Sequence, residues 1–319
     1  MENVKKNSTL NQYLVKFGIL PILLLVFLFF AIAGSPKFIN SYNLLNIFRS
    51  SSYNMVISIG MTLVLLTGGI DISVGSVLAV SGILAVKMSM TSMPWLSVPV
   101  ALAFGFAVGA VNGFLVAYMK LPAFIATLGS MTYLRGLALI LAGRSIINND
   151  LPYAWIGNGK FLGIPWVGIL AILLILLFYF ITKKTVFGMR IYSVGGNAEA
   201  ARFTGINAEK VLVKVYIISG MLAAFAGVMI SSRNYCGNGL MGQGYENDAI
   251  AASIIGGTSF TGGKGTIIGT MLGAFVIAIL NNGLTVLGVS YYWQQVARGS
   301  VIIIAVVLDV LRNKLNENN

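Results

Sequence analysis

Few residues in this 319-residue chain can perform covalent or acid–base chemistry. It has no His, so the commonest proton shuttle and metal ligand is missing, and Cys236 stands alone, which leaves no intrachain disulfide or cysteine metal site. Asp71, Asp248 and Asp309 are the acids near strongly apolar stretches, too few to pair a nucleophile with a base. No catalytic group, metal or cofactor is therefore expected. What remains is hydrogen bonding: Thr67, Asp71, Ser73, Asn112, Asn281, Asn282, Gln294 and Gln295 lie within or beside apolar runs. Neutral amides and hydroxyls so placed can tie helices together, at roughly 0.6 kcal/mol apiece, or line a path for a neutral, hydroxyl-rich solute.

The elements that must position these groups follow from composition. Hydrophobic residues make up 57% of the chain and charged ones 9%, against about a quarter charged in a soluble domain whose surface faces water. The surface of this chain must face lipid, and its 37 glycines fit helices packed through small residues. A formal charge of +12 raises the question of nucleic acid, but the basic residues fall in short loops between apolar spans and form no stripe. They read as topology, and no nucleic-acid partner is expected.

A window of about 20 residues predicts an all-α polytopic membrane protein with about ten transmembrane helices, some broken or re-entrant. The expected spans are Phe17 to Ser35, Tyr53 to Gly68, Val77 to Met90, Trp95 to Tyr118, Phe124 to Ala142, Trp166 to Thr182, Val211 to Ser231, a short segment from Asp248 to Gly257, Thr266 to Leu287, and Tyr292 to Leu311. Asn40 to Ser52 reads as a polar interfacial stretch and Gly143 to Pro165 as an external loop. The first span resembles a signal peptide but is longer than a usual signal core, and is read as uncleaved. With both termini in the cytoplasm, inside segments hold thirteen of the 21 basic residues, among them Lys183, Lys184, Arg190, Arg202, Lys210 and Lys214 in one loop, and all four Trp fall at or beyond the outer interface.

Two Gly-rich interruptions break the helices, Gly68 to Ser76 and Gly256 to Gly265. Non-helical backbone at membrane depth must be buried in protein or line a watery cavity, and paired interruptions point to a substrate pathway. Asp71 fits two roles, a cap receiving the amides of Ser73 or Val74, or a group facing the path. The second interruption is not a phosphate loop, because Lys264 is followed by Gly265 in place of Ser or Thr. Energy coupling, if any, must come from a partner or an ion gradient. Within the polar loop after Lys184, Gly196 and Asn197 precede Ala198 to Gly205, a short helix with Asn197 as cap, Glu199 in the first turn and Gly205 as stop. With Ala200, Arg202 and Phe203 it reads equally as a docking element or as a helix resting on headgroups.

The runs Gly60 to Ser76, Gly195 to Asn207 and Asp248 to Gly273, joined by Leu280-Asn281-Asn282-Gly283-Leu284 and Tyr292-Trp293-Gln294-Gln295, resemble permease subunits of monosaccharide ABC importers of the ribose type over nearly the whole chain. The resemblance implies one permease domain, residues 1–319, containing a cytoplasmic coupling loop, 183–210, that docks on an ATP-hydrolysing subunit. It also implies a second permease chain, identical or related, an extracytoplasmic sugar-binding protein, a prokaryotic inner membrane, and no catalysis by this chain. Similar permeases often carry Tyr-Glu-Leu-Asp where this chain has Tyr245-Glu246-Asn247-Asp248, which leaves another small polar solute, a polyol or a sugar-derived signal, as an alternative cargo. An ion-coupled secondary transporter is the rival class.

Overall fold

Within a bilayer every backbone amide and carbonyl must be paired inside the protein, so apolar runs of this length fold as helices. The computed structural model describes residues 19–317 and is built almost wholly of them. In chain order they are α1 (Leu20–Ala33), α2 (Ser35–Ile39), α3 (Ser41–Leu66), α4 (Val74–Ser89), α5 (Ser97–Ala117), α6 (Ala123–Ala142), α7 (Ala154–Asn158), α8 (Trp166–Lys184), α9 (Val186–Gly196), α10 (Ala198–Phe203), α11 (Ala208–Asn234), α12 (Tyr245–Ile255), α13 (Ile267–Val286) and α14 (Tyr291–Glu317). Two short antiparallel pairs, β1 (Ile146–Ile147) with β4 (Cys236–Gly237) and β2 (Lys160–Phe161) with β3 (Ile164–Pro165), close the loops beyond the helix ends. The predicted start of the first span at Phe17, with Lys5, Lys6 and Lys16, lies outside the described residues, as do the side chains of Asp309, Arg312 and Lys314.

Five helices among the described residues are long and apolar enough to cross a membrane by themselves: α5 with the 3₁₀ turn before it, α6, α8, α11 and α13. Two shorter apolar helices, α1 and α4, join them. The boundaries differ from the sequence reading in two informative places. The stretch Asn40 to Ser52 is not a separate element: apart from Asn40, which caps the helix by accepting the Tyr42 amide at 2.9 Å, it is the first half of the 26-residue α3. It is helical because α3 is the hub of the bundle. Every residue from Ser51 to Leu66 is buried against α11, α13, α12 and α8, so polar side chains are tolerated where they meet protein, not lipid. The loop after Lys184 contains a second helix, α9, which buries Ile191 and Val194 and is capped by the Thr185 hydroxyl accepting the Gly188 amide.

The most extensive packing is between α5 and α11. A Cβ on Gly105 would meet the Gly220 carbonyl, one on Gly109 the Tyr216 carbonyl, and one on Gly113 the Val213 backbone at 2.8 Å. Backbones this near gain dispersion contact without any apolar side chain between them, which is how helices associate where lipid supplies no hydrophobic drive. The short α12 is packed between α3 and α13 and buries Asp248 through Ile254. Its eleven residues rise about 16 Å, half the hydrocarbon thickness.

Candidate functional site

Helix α3 carries Asn46, Ser50, Asn54, Ser58 and Thr62, a polar residue every fourth position. Four residues exceed one helical turn by about 40°, so successive members stand nearly one above another while the row as a whole winds around the helix, with Asn46 and Thr62 on nearly opposite sides. The upper three face a cavity of about 290 Å³ closed by Tyr245 and Asp248 of α12, Asn281, Asn282 and Thr285 of α13, and Gln294 and Arg298 of α14. On its far wall the Arg298 Nε donates to Asn281 Oδ1 at 2.9 Å, while Asn281 Nδ2 donates to Asp248 Oδ2 at 3.2 Å. The amide thus separates a guanidinium from a carboxylate, and the wall is charge-compensated. Asn282 exchanges two hydrogen bonds of 2.9 Å with Asn43, fixing the start of α3 to the end of α13. Gln294 donates to the Val289 carbonyl. Below the cavity the Thr62 hydroxyl meets Ser253 at 2.9 Å and Thr270 at 2.6 Å, a buried cluster joining α3, α12 and α13.

The structure therefore brings Asn281, Asn282 and Gln294 to one cavity and sets the other expected pathway groups elsewhere. Asp71 is buried and accepts the Ser73 amide at 3.1 Å, the Ser73 hydroxyl at 2.6 Å and the Ser219 hydroxyl of α11 at 2.9 Å. Asn112 of α5 donates to the Ser73 hydroxyl and accepts from Ser130 of α6. These bonds bind the start of α4 to three other helices. Thr67 donates back to the Val64 carbonyl at the end of α3, and Gln295 reaches the exposed Tyr291 hydroxyl. Asn46, Ser50, Asn54, Asp248 and Arg298 were not anticipated as cavity residues. Their signal was the four-residue spacing on α3, hidden because half of it fell in the stretch read as interfacial.

The two Gly-rich interruptions meet. The Gly263 amide donates to the Leu66 carbonyl at 3.0 Å, and a Cβ on Gly262 would sit 2.9 Å from the Gly68 amide. Gly257, Gly262 and Gly263 adopt φ of 87°, 91° and 71°, values that a side chain would strain. Helix α9 closes the same junction, with Gly195 against the Leu66 carbonyl and the Tyr192 hydroxyl donating to the Gly265 carbonyl at 2.9 Å. Burial raises the Tyr192 phenol above its ordinary value, so it stays a donor at neutral pH.

The segment beyond follows the sequence reading closely. Asn197 Oδ1 accepts the Ala200 amide at 2.9 Å, α10 runs from Ala198 to Phe203, and Gly205 stops it at φ 81°. Glu199 stands in its first turn and Gly196 just before its cap. Phe203 is 92% exposed, which an isolated helix of six residues does not explain by its own packing. Arg202 pairs with Glu209 at the start of α11, and the same carboxylate takes Lys120, between α5 and α6, at 3.0 Å.

A cleft of amides and hydroxyls with a compensated carboxylate and guanidinium, set in an apolar helical bundle, fits a multi-pass membrane permease. Comparison with known proteins gives the family. Residues 43–306 match the family described as branched-chain amino acid transport system / permease component. The ribose import permease RbsC of Haemophilus influenzae is 42% identical over 317 residues, 97% of each chain. RbsC of Bacillus subtilis is 42% identical over 279 residues, 86% of this chain and 87% of that one, and the galactose/methyl galactoside import permease MglC of Haemophilus influenzae is 33% identical over 98% of both. No solved structure matches. The chain belongs to this family of permeases, with the ribose-type ABC importers among its relatives, and is a multi-pass protein of the inner membrane.

Proposed function

We propose that this chain is the membrane-spanning subunit through which a ribose-like monosaccharide enters the cell, moved by alternating access and driven by ATP hydrolysed on a partner. The observation that carries the cargo class is the cavity between α3, α12, α13 and α14, whose amides and hydroxyls suit a neutral solute rich in hydroxyls. Relatives named for ribose and galactose import support the same class. Asn281, Asn282 and Gln294 are its pathway residues, while Thr67, Asp71, Ser73, Asn112 and Gln295 support or flank the path. The chain acts as one permease domain, 1–319, with α1, α3, α4, α5, α6, α8, α11, α12, α13 and α14 as its ten crossing or entering segments and both termini in the cytoplasm.

Residues 183–210 form the cytoplasmic coupling loop. Gly196, Asn197, Glu199, Ala200, Arg202, Phe203 and Gly205 present α10 to the ATP-binding subunit, and the exposed Phe203 ring seats in a groove of that partner. Motion received there passes through α9 to the junction of Leu66, Gly195 and Gly263 and on to α3. A second permease chain and an extracytoplasmic sugar-binding protein complete the assembly, and this chain does no catalysis. Reconstitution with the ATP-binding and sugar-binding partners tests the proposal. Labelled ribose should accumulate in vesicles only with ATP and should be indifferent to a proton uncoupler. Uptake that ignores ATP and collapses with the uncoupler would replace it with an ion-coupled transporter.

A further inference from the structure

Asn54 holds an unusual position in the cavity. Its side chain is 5% exposed, it lines the cavity wall, and its Oδ1 is buried with no hydrogen-bond partner. A buried acceptor left unpaired costs stability, and native proteins keep very few of them. Leu has the same branched outline with no such cost, and among the residues that line this cavity Asn54 alone has an orphaned buried atom, so the amide points to a use outside the folded chain itself. Its neighbours in the α3 row agree. Ser50, one turn above, gives its hydroxyl proton to the Ile47 carbonyl, leaving its lone pairs at the cavity wall. Ser58, one turn below, is fully buried, and its Oγ too has no partner.

The opposite wall supplies the complement. Asp248 accepts and Arg298 donates, held apart by Asn281. A sugar presents adjacent hydroxyls that each donate and accept, and such a pair can give a proton to a carboxylate while taking one from a guanidinium. A turn of the Asn54 side chain brings its unpaired acceptor, enclosed in this conformation, to a hydroxyl on the other side of the ring. Because Asp248 and Arg298 compensate each other, the site carries no net charge for an ionic ligand to neutralise.

We propose that this cavity is a monosaccharide-binding subsite inside the permease itself, and that Asn54 is its specificity-determining residue, accepting a sugar hydroxyl at Oδ1. The proposal rests on the reading of the chain as a sugar permease and adds that the permease, and not only its binding protein, selects the cargo. A site built to bond a hydroxyl rejects the analogue that lacks it, because its own polar group is then stranded.

The test is Asn54→Leu in the full complex with its ATP-binding and sugar-binding partners, reconstituted beside the wild type. Stability and transport should move apart: the melting temperature of the complex should hold or rise, since an orphan acceptor is gone, while ATP-driven uptake of labelled D-ribose falls about tenfold or more. In competition between D-ribose and its monodeoxy analogues, the wild type should discriminate most strongly against one of them, and Asn54→Leu should lose that discrimination. Uptake within about twofold of wild type and with unchanged selectivity would overturn the proposal. So would a loss of uptake matched by a loss of thermal stability or of assembly, which would make Asn54 structural. If the wild-type vesicles take up no sugar, the transport reading itself fails and this inference with it; if they do and the variant matches them, only the subsite is lost.

Discussion

Replacing Asp71 by Ala and by Asn separates holding a helix from carrying a charge. In the native chain the carboxylate takes three donors, the Ser73 amide, the Ser73 hydroxyl and the Ser219 hydroxyl, and it is 1% exposed. Hydrogen bonds to a charged group contribute about 1.5–3 kcal/mol each, and buried donors left alone cost about as much. The two hydroxyls can turn to other acceptors, whereas the amide cannot, so Asp71→Ala should cost about 3–5 kcal/mol. At roughly 2 °C per kcal/mol for a chain of this size, the melting temperature in detergent should fall by about 6–10 °C.

Asp71→Asn should behave otherwise. Its remaining oxygen keeps both Ser73 donors, its NH₂ group replaces the other oxygen, and the Ser219 hydroxyl rotates to accept from it. Among the described residues no Lys or Arg forms an ion pair with Asp71, so the neutral amide gives up no salt bridge. The variant should melt within about 1 kcal/mol of the wild type and keep its sugar uptake. Thermal unfolding followed by size-exclusion chromatography, with uptake measured on the same preparations, decides the matter. If Asn is as destabilising as Ala, the argument from bond counting is wrong. If Asn is stable but does not transport, Asp71 serves the path through its charge.

Thr62→Val should lower stability by about 1–2 kcal/mol, because it removes the hydroxyl that joins Ser253 and Thr270, and a thermal melt would show a shift of a few degrees. Gly105→Leu should yield no folded permease by size exclusion, since its Cβ meets the Gly220 carbonyl, whereas Gly136→Ala, with open space around the site, should melt no lower than wild type. At Gly205 the space is open but φ is 81°, so Gly205→Val strains only the end of α10, by about 1–2 kcal/mol. The complex should still accept loaded binding protein and yet lose sugar-stimulated ATP hydrolysis; full stimulation would remove α10 from the coupling path. A cysteine at Ala198 in a Cys236→Ser background should be labelled only from the cytoplasmic side and one at Asn158 only from outside, and the reverse pattern would invert the topology.

Local rules were legible wherever a feature depends on neighbours in sequence. The Asn197 cap, the Gly205 stop and the glycine breaks after Leu66 and Ile255 all follow from backbone chemistry confined to a few residues. The start of α3 was not legible, because Asn46, Ser50 and Ser51 look like surface until one knows that four helices enclose them. Helix α9 was missed for the opposite reason: its apolar residues are too few for a span, and its capping Thr185 lies against Lys183 and Lys184, which read as a loop boundary. The site shows the same division. Asn281, Asn282 and Gln294 stood out as polar groups near apolar helix ends, but their convergence with Asp248 and Arg298 is a property of tertiary packing. Likewise the separation of Asn112 and Ser73 from the cavity cannot be read from residue type, since an amide that binds helices and one that meets a solute are the same amide.

The shortness of α12 bears on how the protein is made. Eleven residues cannot be held by lipid alone, and the Gly-rich stretch that follows has backbone groups that lipid would leave unpaired. The partners that satisfy this segment are α3, synthesised long before it, and α13, synthesised immediately after. Until α13 has left the ribosome, an emerged α12 has only part of its wall. The pairing of its backbone is complete only when Ile267–Val286 has joined it, so α12, the glycine loop and α13 are expected to enter the bilayer as one unit. An α12 that has emerged before α13 is thus a biosynthetic intermediate whose following glycine loop still lacks some of the partners that pair its backbone in the finished molecule.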